Sequence, residues 1–146
     1  MHMNNSKYLR EMDFGRQMYF ESGMSEAMRG STRIVTISIR YRRSLQLWER
    51  FTLSTKVLHW SDAFYFEQRF LNKDRFTCAI AMVKMTVKSK GVRVSMEEIT
   101  KLLMGEGESE KSPPATPELK CWMESLEKSS ESMKEEGSSN SQKKNS

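Results

Sequence analysis

The stretch that decides the fold is His2-Met3-Asn4-Asn5-Ser6-Lys7-Tyr8-Leu9-Arg10-Glu11-Met12-Asp13-Phe14. Asn4, Asn5 and Ser6 are all helix-capping types, because a short side-chain oxygen can accept the first-turn N–H groups that have no partner of their own. Tyr8, Leu9, Met12 and Tyr19 then recur at helical spacing, joined by Met18, Met24, Ala27 and Met28. An amphipathic helix is expected from about Asn5 to Arg29. Lys7, Arg10, Arg16 and Glu21 fall largely elsewhere on the wheel. Gly15 is costly inside a helix but lets another backbone come close. Gly23 suggests a break, with a shorter helix around Ser25–Arg29, and Gly30 a stop.

From Thr32 the period changes to two. Ile34, Thr36, Ser38 and Arg40 alternate with Val35, Ile37, Ile39 and Tyr41, which predicts a strand with one apolar face. Arg42-Arg43-Ser44 interrupts it. Phe51–Trp60 reads as a second strand and Ala63–Asn72 as a third, in which Phe64, Phe66, Gln68 and Phe70 oppose Tyr65, Glu67 and Arg69. Arg75–Lys88 is a fourth, with Phe76, Cys78, Ile80 and Met82 among its apolar residues. Turns as short as Ser61-Asp62 and Lys73-Asp74 require antiparallel neighbours. Ser95-Met96-Glu97-Glu98 is a capping-box pattern for a short helix to about Met104. The domain reading is therefore 1–104, a linker 105–117, an amphipathic helix within 118–133 built on Leu119, Trp122, Met123 and Leu126, and a disordered tail 134–146.

Residues 1–104 carry 18 Lys and Arg against 10 Asp and Glu, a net of +8, while residues 105–146 carry 6 against 9, a net of −3. The basic excess belongs to the folded part and favours anionic partners. A nucleic acid is not the partner expected, because Phe64, Phe66 and Phe70 alternate on one strand face as a core does. Cys78 and Cys121, far apart, make neither a disulfide framework nor a metal pattern. The reading is thus of no metal and a reducing, cytoplasmic setting. No run approaches the roughly 18 apolar residues of a membrane span.

A long helix followed by an antiparallel sheet is an α+β arrangement, and particular residues narrow it further. His2-Met3-Asn4-Asn5-Ser6-Lys7-Tyr8-Leu9 resembles the HMNNxxYL signature of thioesterase-like hotdog proteins. Arg40-Tyr41-Arg42-Arg43-Ser44-Leu45, Trp48-Glu49-Arg50-Phe51, Trp60-Ser61-Asp62 and Phe64-Tyr65-Phe66-Glu67-Gln68-Arg69-Phe70 follow in order. The series, over about residues 2–88, resembles an animal branch of the 4-hydroxybenzoyl-CoA thioesterase-like family. That resemblance implies a hotdog fold, a central helix wrapped by a curved antiparallel sheet, in a homodimer joined sheet edge to sheet edge. It also implies an acyl-CoA or related thioester as substrate, with CoA entering as part of the substrate rather than as a cofactor.

In that family an Asp at the end of a preceding strand supplies the catalytic carboxylate a few positions before the HMNN-like segment. Met1 directly precedes His2 here, so the resemblance implies a chain shortened at its N-terminus, without its first strand and with little or no hydrolytic activity as it stands. Membrane attachment, to the endoplasmic reticulum among others, is expected only through an apolar N-terminal segment that is absent here. The remaining candidates for catalysis are His2, Asn5, Glu11 and Asp13, each with a plainer reading as a mobile end, a helix cap or a solvated helix charge. Asn4, Asn5 and Tyr8 are candidates for substrate binding, as are Arg42 and Arg43, whose guanidinium groups suit CoA phosphates. Met18, Met24 and Met28 are candidates for an adaptable acyl pocket. His59 reads as packed beside Trp60. The alternative function is a non-catalytic acyl- or lipid-binding module, or a dimeric scaffold.

Overall fold

The computed structural model describes residues 1–21, 32–89, 91–95, 97–99, 101 and 111–144. The expectations placed on Gly23, Met24, Ala27, Met28 and Gly30, on Met96 and Met104, and on the linker over 105–110 lie outside the described residues. The elements are α1 (Asn5–Glu21), β1 (Thr32–Tyr41), β2 (Phe51–Trp60), β3 (Phe64–Asn72), β4 (Thr77–Ser89), β5 (Val92–Arg93) and α2 (Pro117–Lys144). Strand order is β1-β4-β3-β2, every pair antiparallel, and β5 adds to β4.

Registers place Phe64, Phe66, Gln68 and Phe70 of β3 opposite Met85, Val83, Ala81 and Ala79 of β4. Directly opposed residues share a face, so this row is the floor on which α1 lies. Tyr8 meets Phe70 edge to face at 4.8 Å, and Phe20 meets Phe66 at 5.7 Å, so α1 runs antiparallel to β3. The expected parity of β3 holds. In β4, for which no face was assigned, Ala79, Ala81, Val83, Met85 and Val87 form the buried row, whereas Phe76 is exposed and Ile80 and Met82 are half-buried. Both parities of β4 are apolar, so alternation alone carries no phase. The small Ala79 and Ala81 leave room for the aromatic rings. In β1 a bulge between Ile34 and Thr36 leaves Val35 without a partner and turns Ile37 and Ile39 toward the core.

The helix face also departs from expectation. Tyr8, Met12, Arg16 and Phe20, each four apart, are buried, while Leu9 is half-exposed and Met18 points into solvent. Arg16 belongs to the core-facing stripe, not to the polar side. Its neighbour Gly15 explains how the helix sits so close. A Cβ there would lie 2.7 Å from Leu53 Cδ2 and 3.2 Å from both Gln68 Nε2 and Thr55 Oγ1. Alanine would gain about 1 kcal/mol of helix propensity but would crowd these atoms; valine adds two more methyl groups. Gly15→Val is expected to cost about 2 kcal/mol through overpacking, read as a lower urea midpoint. An unchanged midpoint would show that the helix is not held this closely.

The first compact unit runs from Met1 to Pro113, beyond the 104 expected. Ser112 Oγ accepts the Trp60 N–H at 2.8 Å and His59 Nδ1 donates to the Pro113 carbonyl at 2.7 Å. These two bonds tie residues 112 and 113 to the end of β2. They also give His59 a fixed partner rather than the simple packing role expected. The second unit, 114–146, holds α2. Thr116 Oγ1 accepts the Leu119 N–H, Pro117 opens the helix and Glu118 lies in its first turn, so the start is well specified. The helix continues past residue 133 to Lys144, where composition favoured a disordered tail. Its Glu and Lys are good helix formers. Ser138, Ser139 and Ser141 turn their hydroxyls back onto carbonyls of the preceding turn, each at 3.0 Å.

Candidate functional site

The N-terminus of α1 is capped by Asn4, whose Oδ1 accepts the Lys7 N–H at 3.0 Å and the Ser6 hydroxyl at 2.7 Å. Asn5 is thereby released from capping. The first amides of the helix, Asn5 and Ser6, have no intrahelical acceptor and sit at the positive end of the helix dipole. Next to them lies a cavity of about 200 Å³, walled by Asn5 and Tyr8 from α1 and by Tyr41, Arg42, Arg43 and Ser44 at and beyond the end of β1, with Met3 at its edge.

Each wall is positioned by identifiable contacts. The amides of Arg42 and Arg43 both donate to the Cys78 carbonyl, at 2.8 and 3.0 Å, which ends β1 and turns two arginines out side by side. Arg42 stacks its guanidinium 4.8 Å above the Phe76 ring and donates to the Thr77 carbonyl. Tyr8 is anchored between the rings of Tyr41 and Phe70 and accepts the Leu45 N–H at 3.2 Å. Burial pushes the Tyr8 phenol up against the opposing pull of the Leu45 amide. It therefore stays protonated at neutral pH and keeps a hydrogen to donate.

Asn5, Tyr8, Arg42 and Arg43 are thus brought together, with Asn4 beside them as the cap. The other candidates lie elsewhere. Gln46 Nε2 donates to His2 Nδ1 at 3.1 Å, occupying the lone pair that a base would use. Glu11 pairs with Arg10 at 3.5 Å. Among the described residues no carboxylate lines this cavity.

Asp13 faces a second, larger cavity of about 540 Å³, together with Arg16, Gln17, Phe20, Arg33 and Met85. It pairs with Arg16, which is only 3% exposed and also donates to Gln68 Oε1. Burial pulls the Arg16 guanidinium down, against the favourable field of Asp13. Gln68 Nε2 completes the set by donating to the Met12 carbonyl and to Thr55 Oγ1, both at 3.0 Å. Sequence reasoning missed this network. Its one visible trace is Gln68, a polar residue in the apolar row of β3. Met18, expected near an acyl pocket, is 71% exposed.

Burial raises Tyr19, Tyr65 and the Cys78 thiol as it raises Tyr8. A group whose folded value is raised contributes stability that is complete below its unfolded value and disappears as pH climbs through the folded one. The melting temperature is therefore expected to fall steadily from about pH 9 to about pH 11. Phenolate absorbance should appear together with unfolding. A flat melting profile across that range would contradict it.

A sequence model of the thioesterase-like superfamily matches residues 1–123, and the chain belongs to that family. Among individual relatives it is 40% identical to Protein THEM6 of Xenopus laevis, over 97% of this chain and 69% of that one. It is 33% identical to Protein THEM6 of Drosophila melanogaster, over 92% and 69% of the respective chains. Two solved structures share its hotdog fold. One is a thioesterase from Thermus thermophilus complexed with coenzyme A and Zn, with TM-score 0.60, 16% identity, and 72% of this chain and 83% of that one covered. The other is SAV2348 of Staphylococcus aureus in complex with CoA, with TM-score 0.62, 14% identity, and 81% and 80% covered.

Proposed function

We propose that the cavity at the N-terminus of α1 binds a CoA thioester, with Arg42 and Arg43 meeting phosphate oxygens and the first amides of α1 receiving the thioester carbonyl. The observation that carries this is the convergence of Asn5, Tyr8, Arg42 and Arg43 on one cavity beside a capped helix start. Helix N-terminal amides and a neutral phenol stabilise developing negative charge on an oxygen. CoA bound to two of the fold relatives supports the same ligand class. The residues lining the cavity supply recognition and oxyanion stabilisation but no general base, whose loss typically costs roughly 10²–10⁴ in rate. Slow hydrolysis is therefore expected of this chain. Calorimetric titration with CoA and an acyl-CoA, followed by a thiol-release assay, tests both parts. Absence of CoA binding would defeat the reading, and turnover near the enzymic median of about 10 s⁻¹ would defeat its second half.

A homodimer joined through β1 is the assembly this reading includes. β1 pairs only with β4 among the described residues, and its Ile34, Val35 and Tyr41 side chains are exposed at 38%, 52% and 44%. An edge of that kind invites a second strand. The same edge supports the alternative of a non-catalytic acyl-binding or scaffold dimer. A monodisperse monomer by light scattering would remove the dimer from both. Among the described residues no helix is long and apolar enough to cross a membrane.

A further inference from the structure

At one end of the sheet the structure holds two unfavourable features at once. The pairs Tyr41↔Ala79, Phe70↔Ala79 and Phe51↔Asn72 bring the β1–β2 connection and the β3–β4 turn to this end. Within the connection, Gln46–Glu49 form a closed turn. The Glu49 N–H donates to the Gln46 carbonyl at 3.1 Å, and the Glu49 carboxylate accepts the Gln46 N–H at 2.9 Å. The third position of that turn is Trp48, with φ at 68°. Glycine or asparagine normally takes that left-handed place, because a Cβ is crowded there. The indole so placed is 91% exposed, beside a half-exposed Leu47. A fold that fixes a tryptophan in a strained conformation and then leaves it uncovered is holding it out toward something.

The surroundings define what that is. Arg42, Arg43 and Arg50 lie in the same connection, and Lys73 and Arg75 in the neighbouring turn, with the partly exposed Phe76. Against them stand Asp74 and a Glu49 already engaged with the Gln46 amide. Large apolar tips within a cationic rim match an anionic lipid surface: indole and leucine lodge at the boundary of headgroups and acyl chains, while arginines meet lipid phosphates. We infer that this end of the sheet seats on anionic membranes through Trp48 and Leu47, in a way that requires no membrane-spanning segment. The inference shares Arg42 and Arg43 with the thioester reading, but Trp48 and Leu47, which carry it, lie outside that cavity's lining.

Sedimentation of the full chain with phosphatidylcholine vesicles, with and without phosphatidylserine, provides the test. The native protein should sediment with the anionic vesicles, release on raising the salt, and bind the neutral ones roughly tenfold more weakly. Trp48→Gly removes the anchor and also relieves the left-handed strain. It should therefore lose at least about tenfold in vesicle affinity while melting no lower than the native protein. Leu47→Ser, outside the strained position, should weaken binding in the same direction. Equal vesicle binding by Trp48→Gly, or no binding by the native chain, would overturn the inference. So would a Trp48→Gly protein that keeps its vesicle affinity but loses self-association, since Trp48 would then contact a second copy.

Discussion

Gln68→Leu is expected to lower the unfolding free energy by about 3 kcal/mol, although leucine is apolar, of similar size and placed in the centre of the core. The reason is Arg16. Its guanidinium is nearly fully buried and is held by the Gln68 carbonyl oxygen on one side and by Asp13 on the other. Leucine removes the first partner and leaves only a carboxylate whose own side chain is 61% exposed. A buried charge stripped of a partner is among the costliest changes a core can suffer. The Met12 carbonyl and the Thr55 hydroxyl lose their bonds at the same time. Removing both polar members should be far milder. The pair Arg16→Met and Gln68→Leu is expected to recover about 2 kcal/mol of the loss, because apolar replacement of a whole buried network is often neutral. Urea unfolding of the four proteins completes the cycle. A loss below about 1 kcal/mol for Gln68→Leu would mean that Asp13 alone satisfies Arg16.

Arg42→Ala combined with Arg43→Ala should weaken CoA binding about 50-fold, equivalent to about 2.3 kcal/mol. Charge-assisted hydrogen bonds contribute roughly 1.5–3 kcal/mol each when well formed, and the exposure of this rim places the expected sum below that of two such bonds. The arrangement makes the two arginines unequal. Arg42 is held in place by Phe76 and the Thr77 carbonyl, so it is preorganised. Arg42→Lys should consequently recover only part of the affinity, since lysine keeps the charge but neither the planar fork nor the stacking. Binding should also weaken steadily with salt, as phosphate recognition near solvent does. Calorimetry with CoA decides it. Unchanged affinity in the double variant would return both arginines to the plainer role of exposed strand ends.

The order of elements and most of the sheet were legible because β3 alternates cleanly and the β2–β3 and β3–β4 turns are short. Phe64, Phe66 and Phe70 announce the core face by parity alone. β4 hides its phase, because Phe76, Cys78, Ile80 and Met82 are as apolar as the residues between them. Arg16 was misplaced for a related reason: a long charged side chain on a helix reads as solvated until its partner is known, and that partner lies far along the chain. Asn4 and Asn5 are chemically identical, so no sequence signal told the cap from the residue it frees for the cavity. Arg42 and Arg43 were visible as a pair, whereas Cys78, the carbonyl that turns them outward, was not. Trp48 gave no hint of its left-handed backbone, since tryptophan is not a turn former; Gln46 and Glu49 impose it through their two bonds.

Arg16 and Gln68 are 52 positions apart in the chain. The strands β2, β3 and β4, by contrast, are joined by tight turns and close on one another locally. Long loops are entropically slow to close, so the three-strand meander is expected to assemble before the helix docks. During synthesis α1 leaves the ribosome before the sheet, with its Met12 and Phe20 uncovered and Arg16 still without Gln68. It must wait for the surface that completes it. On that order Gly15 would act at the last step, as the flat spot that lets the helix settle against Leu53, Thr55 and Gln68.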